Sequence, residues 1–124
     1  MGLADDETAG LIGSDKVEGT AVYGADSDKI GSIARVMIEK VSGKVSYAVL
    51  SFGGFLGIGD DYYPLPWPSL KYNVDLGGYQ TMIPIDKMKD APKYARSGTW
   101  DWESRERARS LDDYYGVPAM TSAG

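Results

Sequence analysis

The chain has 124 residues, a length that suits one domain built around one hydrophobic core. It contains neither histidine nor cysteine, which removes Ser-His-Asp and Cys-His catalytic sites, Cys/His zinc sites and disulfides. The formal net charge of −5 disfavours a nucleic-acid partner, because polyphosphate backbones reward clustered Lys and Arg.

The opening MGLADDETAG is acidic and polar. It has neither the basic start nor the apolar core of a secretory signal, and Asp6 stands where a myristoylation motif requires Ser or Thr. No apolar run approaches the ~20 residues that span a bilayer. A cytoplasmic address without membrane insertion is expected. Residues 1–13 read as a loose N-terminal segment, with Leu11 and Ile12 the first able to dock on a fold.

From Thr20 the pattern becomes β-like. TAVYG and KIGSIARVMIEK flank Ala25-Asp26-Ser27-Asp28, a cluster suited to a hairpin turn. In the second segment Ala34, Val36 and Ile38 alternate with Arg35, Met37 and Glu39, which predicts one apolar face and one mixed face. Ser42-Gly43 marks the next turn, and Val45 to Phe52 the next strand. Tyr47 and Val49 point one way and Ala48, Leu50 and Phe52 the other, so both faces of this strand require cover, from the chain's own tail or from another subunit. In DYYPLPW, Pro64 and Pro66 put two missing N–H groups on one side, the mark of an edge strand. KYNVDLGGYQTMI predicts a last hairpin turning through Asp75 to Gly78, and PIDKMKDAPKYA a short helix stopped before Pro92.

The tail GTWDWESRERARSLDDYYGVP predicts a second helix with Asp101 as N-cap, a Glu103–Arg107 pair four residues apart, and Gly116 with Pro118 as the stop. Its apolar stripe, Ala108, Leu111 and Tyr115, is narrow. Arg105, Arg107 and Arg109 are interleaved with acids and read as a solvated face. The chain divides into 1–13, a β-rich domain over 14–96 and a helical tail over 97–124.

Three stretches invite a chemical reading and fail it. Gly54 and Gly59 have the spacing of a phosphate loop, but Asp60 and Asp61 stand where its lysine and hydroxyl belong, and no helix can follow through the prolines. Asp26 and Asp28 begin a calcium loop that nothing completes. Asp60 and Asp61 are a carboxylate pair whose side chains diverge on a strand. No catalytic residue, cofactor or metal site is expected.

The run SDKVEGTAVYGADSDKIGSIARVMIEKVSGKVSYAVLSFGGFLGIGDDYYPLPWPSL resembles a PRC-barrel domain, the family named for the cytoplasmic part of the photosynthetic reaction-centre H subunit, with a relative in a ribosome maturation factor. The similarity covers about Ser14 to Tyr94, and Ala48 to Trp67 is its most specific part. It implies a mainly β fold, a small, highly curved antiparallel PRC-type β-barrel, here with a short helix and a C-terminal helix. It also implies a docking surface in larger assemblies in place of a catalyst. In the ribosome-associated relatives a paired tyrosine followed by tryptophan lies near the partner-binding surface. Tyr62-Tyr63 match the pair, and Trp67 follows after an intervening Pro-Leu-Pro.

The expected function is therefore a non-catalytic interaction module that pairs with a second copy of itself and docks on a further protein. Phe55, Leu56, Tyr62, Tyr63, Trp67, Trp100 and Trp102 are its candidate partner-binding residues. The competing expectation is small-molecule binding or proton relay through Asp60-Asp61-Tyr62-Tyr63. A small barrel normally fills its interior with side chains, which favours the first.

Overall fold

The computed structural model describes residues 10–52 and 61–116 of the chain. Its elements are α1 (Ser14–Val17), β1 (Ala21–Tyr23), β2 (Lys29–Ile38), β3 (Val45–Ser51), β4 (Tyr62–Pro66), a 3-10 turn (Trp67–Ser69), β5 (Lys71–Asn73), β6 (Gly78–Gln80), α2 (Ile85–Lys89) and α3 (Arg105–Tyr115). The six strands form one sheet in the order β4-β3-β2-β1-β6-β5.

Turn chemistry sets the hairpins. Between β1 and β2 the Gly24 N–H donates to the Asp28 carbonyl at 2.9 Å, and the Asp28 N–H donates to Asp26 Oδ1 at 3.1 Å. Gly43 takes φ 78° at the β2–β3 turn and Gly77 φ 71° at the β5–β6 turn, a left-handed conformation that costs glycine least. β4 is an edge strand, as its two prolines predict.

The sheet is not the purely antiparallel barrel expected. β1 pairs with β6 in parallel, through Val22 with Tyr79 and Tyr23 with Gln80. The chain leaves the β4 edge through the 3-10 turn, makes β5 at the far end of the sheet, and turns back into β6 beside β1. β4 and β5 share no ladder among the described residues, so the sheet is curved but open there. Its two ends are nevertheless joined by Trp67 to Leu70 alone, which forces the curl.

The regular alternation expected in β2 is also broken. Register shifts fall between Ile33 and Arg35 and between Met37 and Ile38. The first leaves Ala34 extra on β2 and exchanges the faces of β2 beyond it, whereas the second leaves Ser46 extra on β3. Ile33 and Val36 therefore share the inner face, opposite Leu50 and Ala48, while Ile38 is exposed. The inner face of β3 is aliphatic and closed: Ala48 and Leu50 are fully buried and meet Leu65 and Tyr63 across β4.

Helix α3 begins later than predicted. Ser104 is the N-cap, its Oγ accepting from the Arg107 N–H at 3.1 Å. Asp101 instead accepts the Glu103 N–H at 3.2 Å in a turn ahead of the helix. Glu103 thus lies outside the helix, and the expected helical Glu103–Arg107 pair gives way to Arg107 stacked 4.7 Å from the Trp100 ring centroid. Gly116 closes the helix at φ 68°.

Candidate interaction surface

Strand register decides which side chains reach the outer face. Tyr47 pairs with Pro66, Val49 with Pro64, and Ser51 with Tyr62. Strand side chains alternate, so these six share the face opposite Ala48, Leu50 and Leu65. Val49 is fully buried there, yet outside the main core cluster. The chain's own tail reaches this face at Tyr47, Ser51 and Tyr62, which resolves the choice left open by the sequence.

The tail first touches the sheet at Tyr94. The Tyr62 N–H donates to the Tyr94 carbonyl at 2.8 Å, and the Tyr94 N–H donates to the Tyr62 carbonyl at 3.0 Å. This one-residue bridge has a reason in the sequence. Tyr62, Pro64 and Pro66 point their backbone N positions the same way, away from β3. Only Tyr62 carries a hydrogen there, so the edge of β4 offers one donor and then two prolines.

Beyond the bridge the contact is aromatic. Tyr62 and Tyr94 lie 5.5 Å apart, Tyr94 and Trp100 5.9 Å, Trp100 and Trp102 6.3 Å, and Trp102 and Tyr47 5.6 Å, all ring centroid to centroid. These spacings and tilts suit favourable ring contacts. Arg96 places its guanidinium 5.3 Å from the Tyr62 ring and donates from Nη2 to Ser51 Oγ at 2.6 Å. Helix α3 then packs against β4, and its buried Leu111 and Tyr115 join the main core cluster. Tyr114 ties α3 to α2, its hydroxyl donating to the Lys87 carbonyl at 2.6 Å.

Burial raises the phenol pKa of Tyr47, Tyr63, Tyr94 and Tyr115, in each case as the largest cause. Asp112 adds to the effect at Tyr47 and Asp61 at Tyr63, whereas Arg35 opposes it at Tyr94. Among the described residues the buried Tyr115 hydroxyl has no hydrogen-bond partner.

The structure divides the candidate residues. Tyr62, Trp100 and Trp102 come together in the aromatic row, with Trp100 buried and the other two half-buried. Tyr63 points inward, 2% exposed, its ring 4.9 Å from Phe52. Trp67 packs elsewhere, 5.2 Å from Tyr79. Phe55, Leu56 and Asp60 lie outside the described residues. Sequence reasoning missed Tyr47, Ser51, Tyr94 and Arg96 as members of this surface. The spacing in KYARSGTWDW, aromatic and basic residues two apart, was the available signal.

The most exposed apolar side chains among the described residues are elsewhere: Val41 at 98% on the β2–β3 turn, Val74 at 80% and Met82 at 74% flanking the strands of the β5–β6 hairpin, and Leu11 at 76% ahead of α1. A cleft of about 690 Å3 lies between the β1–β2 turn and the start of α2, lined by residues including Asp26, Asp28, Ile30, Ile83 and Ile85. Asp61, Tyr62 and Tyr63 do not line it. Among the described residues no group of three or more acidic side chains is placed to hold a metal ion, and no helix is long and apolar enough to cross a membrane.

A mainly β sheet, strongly curved, with its outer face closed by a C-terminal segment, defines the class of this protein. The PRC-barrel domain model matches residues 10–90, more than half of the chain, and the chain belongs to that family. An uncharacterized protein of Deinococcus radiodurans is 28% identical over 76 residues, which are 61% of this chain and 27% of that protein. The chain thus corresponds to about a quarter of that relative's length.

Proposed function

We propose that the chain is a non-catalytic interaction and assembly module that pairs with a second copy and docks on a further protein. The supporting observation is the apolar surface along the β5–β6 hairpin, where Val74 and Met82 are largely exposed and Tyr72 partly so. Large exposed apolar groups favour association, and twofold pairing is the commonest way to cover them. Trp100 is already covered by its own chain, so the hairpin is the better surface for a second copy.

A non-catalytic role also fits the direction of the tyrosine shifts. General acid–base work near neutral pH needs a group tuned toward neutrality, and burial moves these phenols the opposite way. Light scattering at micromolar concentration tests the pairing. A dimeric mass that falls to monomer in Val74→Asp/Met82→Asp supports it, and a monomeric mass for the unmodified chain defeats it.

A further inference from the structure

The β2–β3 turn and the cleft beside the β1–β2 turn are opposite in charge, and each offers apolar surface. Residues 40–44 of the turn read Lys-Val-Ser-Gly-Lys, and all five are exposed. Val41, at 98%, stands almost wholly in water between the two lysines. Backbone bonds hold the turn in one shape. The Glu39 N–H donates to the Lys44 carbonyl at 2.8 Å, the Gly43 N–H to the Glu39 carbonyl at 2.9 Å, and the Lys44 N–H to Ser42 Oγ at 3.1 Å. Glu39 is half-buried at the base, so the outer part of the turn is basic.

The cleft of about 690 Å3 has the opposite character. Ile30, Ile83 and Ile85 give it an apolar lining, and Asp26 and Asp28 stand exposed at its rim with Lys29. Two carboxylates against one lysine leave that rim negative. The volume lies in the range of about 300–1,000 Å3 that holds a compact ligand, which is room for a valine and its turn neighbours. One wall is fixed in advance, because the Gly24 carbonyl accepts from the Ser27 N–H at 3.0 Å and from Gln80 Nε2 at 2.9 Å, tying the β1–β2 turn to β6. Turn and cleft sit at opposite ends of the ten-residue β2, roughly 30 Å apart at about 3.3 Å per residue. A chain therefore cannot place its own turn in its own cleft.

We propose that the β2–β3 turn of one copy docks in the β1–β2 cleft of a second copy, with Val41 entering the apolar lining and Lys40 and Lys44 meeting the Asp26–Asp28 rim. The occupant is a second copy because the chain itself carries a basic turn with an apolar tip to match an apolar cleft with an acidic rim. Both surfaces are held by hydrogen bonds in the free chain, which lowers the ordering cost of association. They are unlike surfaces, so the contact does not close on itself and copies join head to tail. It is separate from the hairpin pairing and stands without it. Where both form, pairs are linked into larger assemblies. The contact is small and therefore weak, and it populates above the micromolar range in which the pairing is read.

Sedimentation equilibrium of the full-length chain tests this. The mass at micromolar concentration reports the hairpin pairing, and a rise above that value toward the millimolar range reports the turn-to-cleft contact, so failure of one leaves the other readable. A mass that keeps its micromolar value throughout overturns the proposal. Val41→Ser retains every charge at a site with no packing to lose, and it should weaken the concentration-dependent association by about tenfold or more, because no apolar side chain then enters the cleft. Undiminished association overturns the proposal. The charges are then reversed separately, as Lys40→Glu/Lys44→Glu on the turn and Asp26→Asn/Asp28→Lys at the cleft. Asp26→Asn keeps the side-chain oxygen that accepts the N–H of residue 28. Each variant alone should hold its micromolar mass, and an equimolar mixture should regain the association, since the acidic turn then meets the basic rim and the native turn meets the native rim. A mixture of variants with unchanged circular dichroism that associates no better than either alone overturns the assignment of turn to cleft.

Discussion

The two faces of β3 are both withdrawn from water, by different means. Ala48, Leu50 and Phe52 enter a cluster that joins strand side chains such as Val22, Ile33 and Leu65 to Trp100, Leu111 and Tyr115 of the tail. Tyr47 and Ser51 meet a ring and a guanidinium from the segment beyond the family match. Aliphatic interiors gain from close packing and exclude alternatives, whereas aromatic and cationic contacts at a partly wet surface are weaker and more readily exchanged. The first face is closed by interdigitated side chains, the second by contacts at a partly wet surface.

The largest expected effect is on the inner face. Leu50→Ala should cost about 2–5 kcal/mol in denaturant melts, the range for truncating a fully buried leucine. A loss of a few tenths would mean that the inner face is not the core. Trp100→Ala should cost a comparable amount, about 3–5 kcal/mol, because the ring is buried in the same cluster. A loss within a few tenths would show that the tail does not contribute to the core.

A smaller effect has the opposite sign. Tyr115→Phe should raise stability by about 1 kcal/mol, since it removes a buried hydroxyl that has no partner among the described residues and leaves the ring in place. A clear loss would show that the hydroxyl is satisfied in solution. Arg96→Ala should be smallest, within about 1 kcal/mol, because its hydrogen bond and its contact with the Tyr62 ring are exposed to solvent.

The pH profile sharpens the comparison further. Tyr47, Tyr63, Tyr94 and Tyr115 have folded-state pKa values above the usual tyrosine value of about 10. Protons are therefore held more tightly by the folded chain. Their contribution is fully present below pH 10 and is lost as pH rises through the folded values. Stability should begin to fall above about pH 10, and less steeply in Tyr115→Phe, which lacks the most strongly raised group. An unchanged slope would remove Tyr115 from the buried set.

Much of the strand order was legible because short-range chemistry carries it. Gly43 and Gly77 mark tight turns, Pro64 and Pro66 mark an edge, and Gly116 marks a helix end. The uniform alternation read into Ala34, Val36 and Ile38 failed because bulges are set by the partner strand as much as by the residues themselves. The N-cap moved from Asp101 to Ser104 because both residue types cap helices, and only the course of the chain from Trp100 onward selects between them. Tyr62 and Tyr63, adjacent in sequence, were grouped as one site. The strand period sends one to the outer surface and the other into the core.

By itself the sequence determined the absence of histidine and cysteine chemistry, the positions of the turns, the edge character of β4 and the need to cover both faces of β3. These follow from residue types and from spacings of a few positions. The tertiary structure alone decided that β6 lies parallel to β1, that the sheet is open between β4 and β5, and that residues 91–116 close the outer face of their own chain. Such choices depend on contacts between residues tens of positions apart, such as Ser51 with Arg96 and Tyr62 with Tyr94. Their free energy comes from the pairing of whole surfaces, which no local pattern encodes.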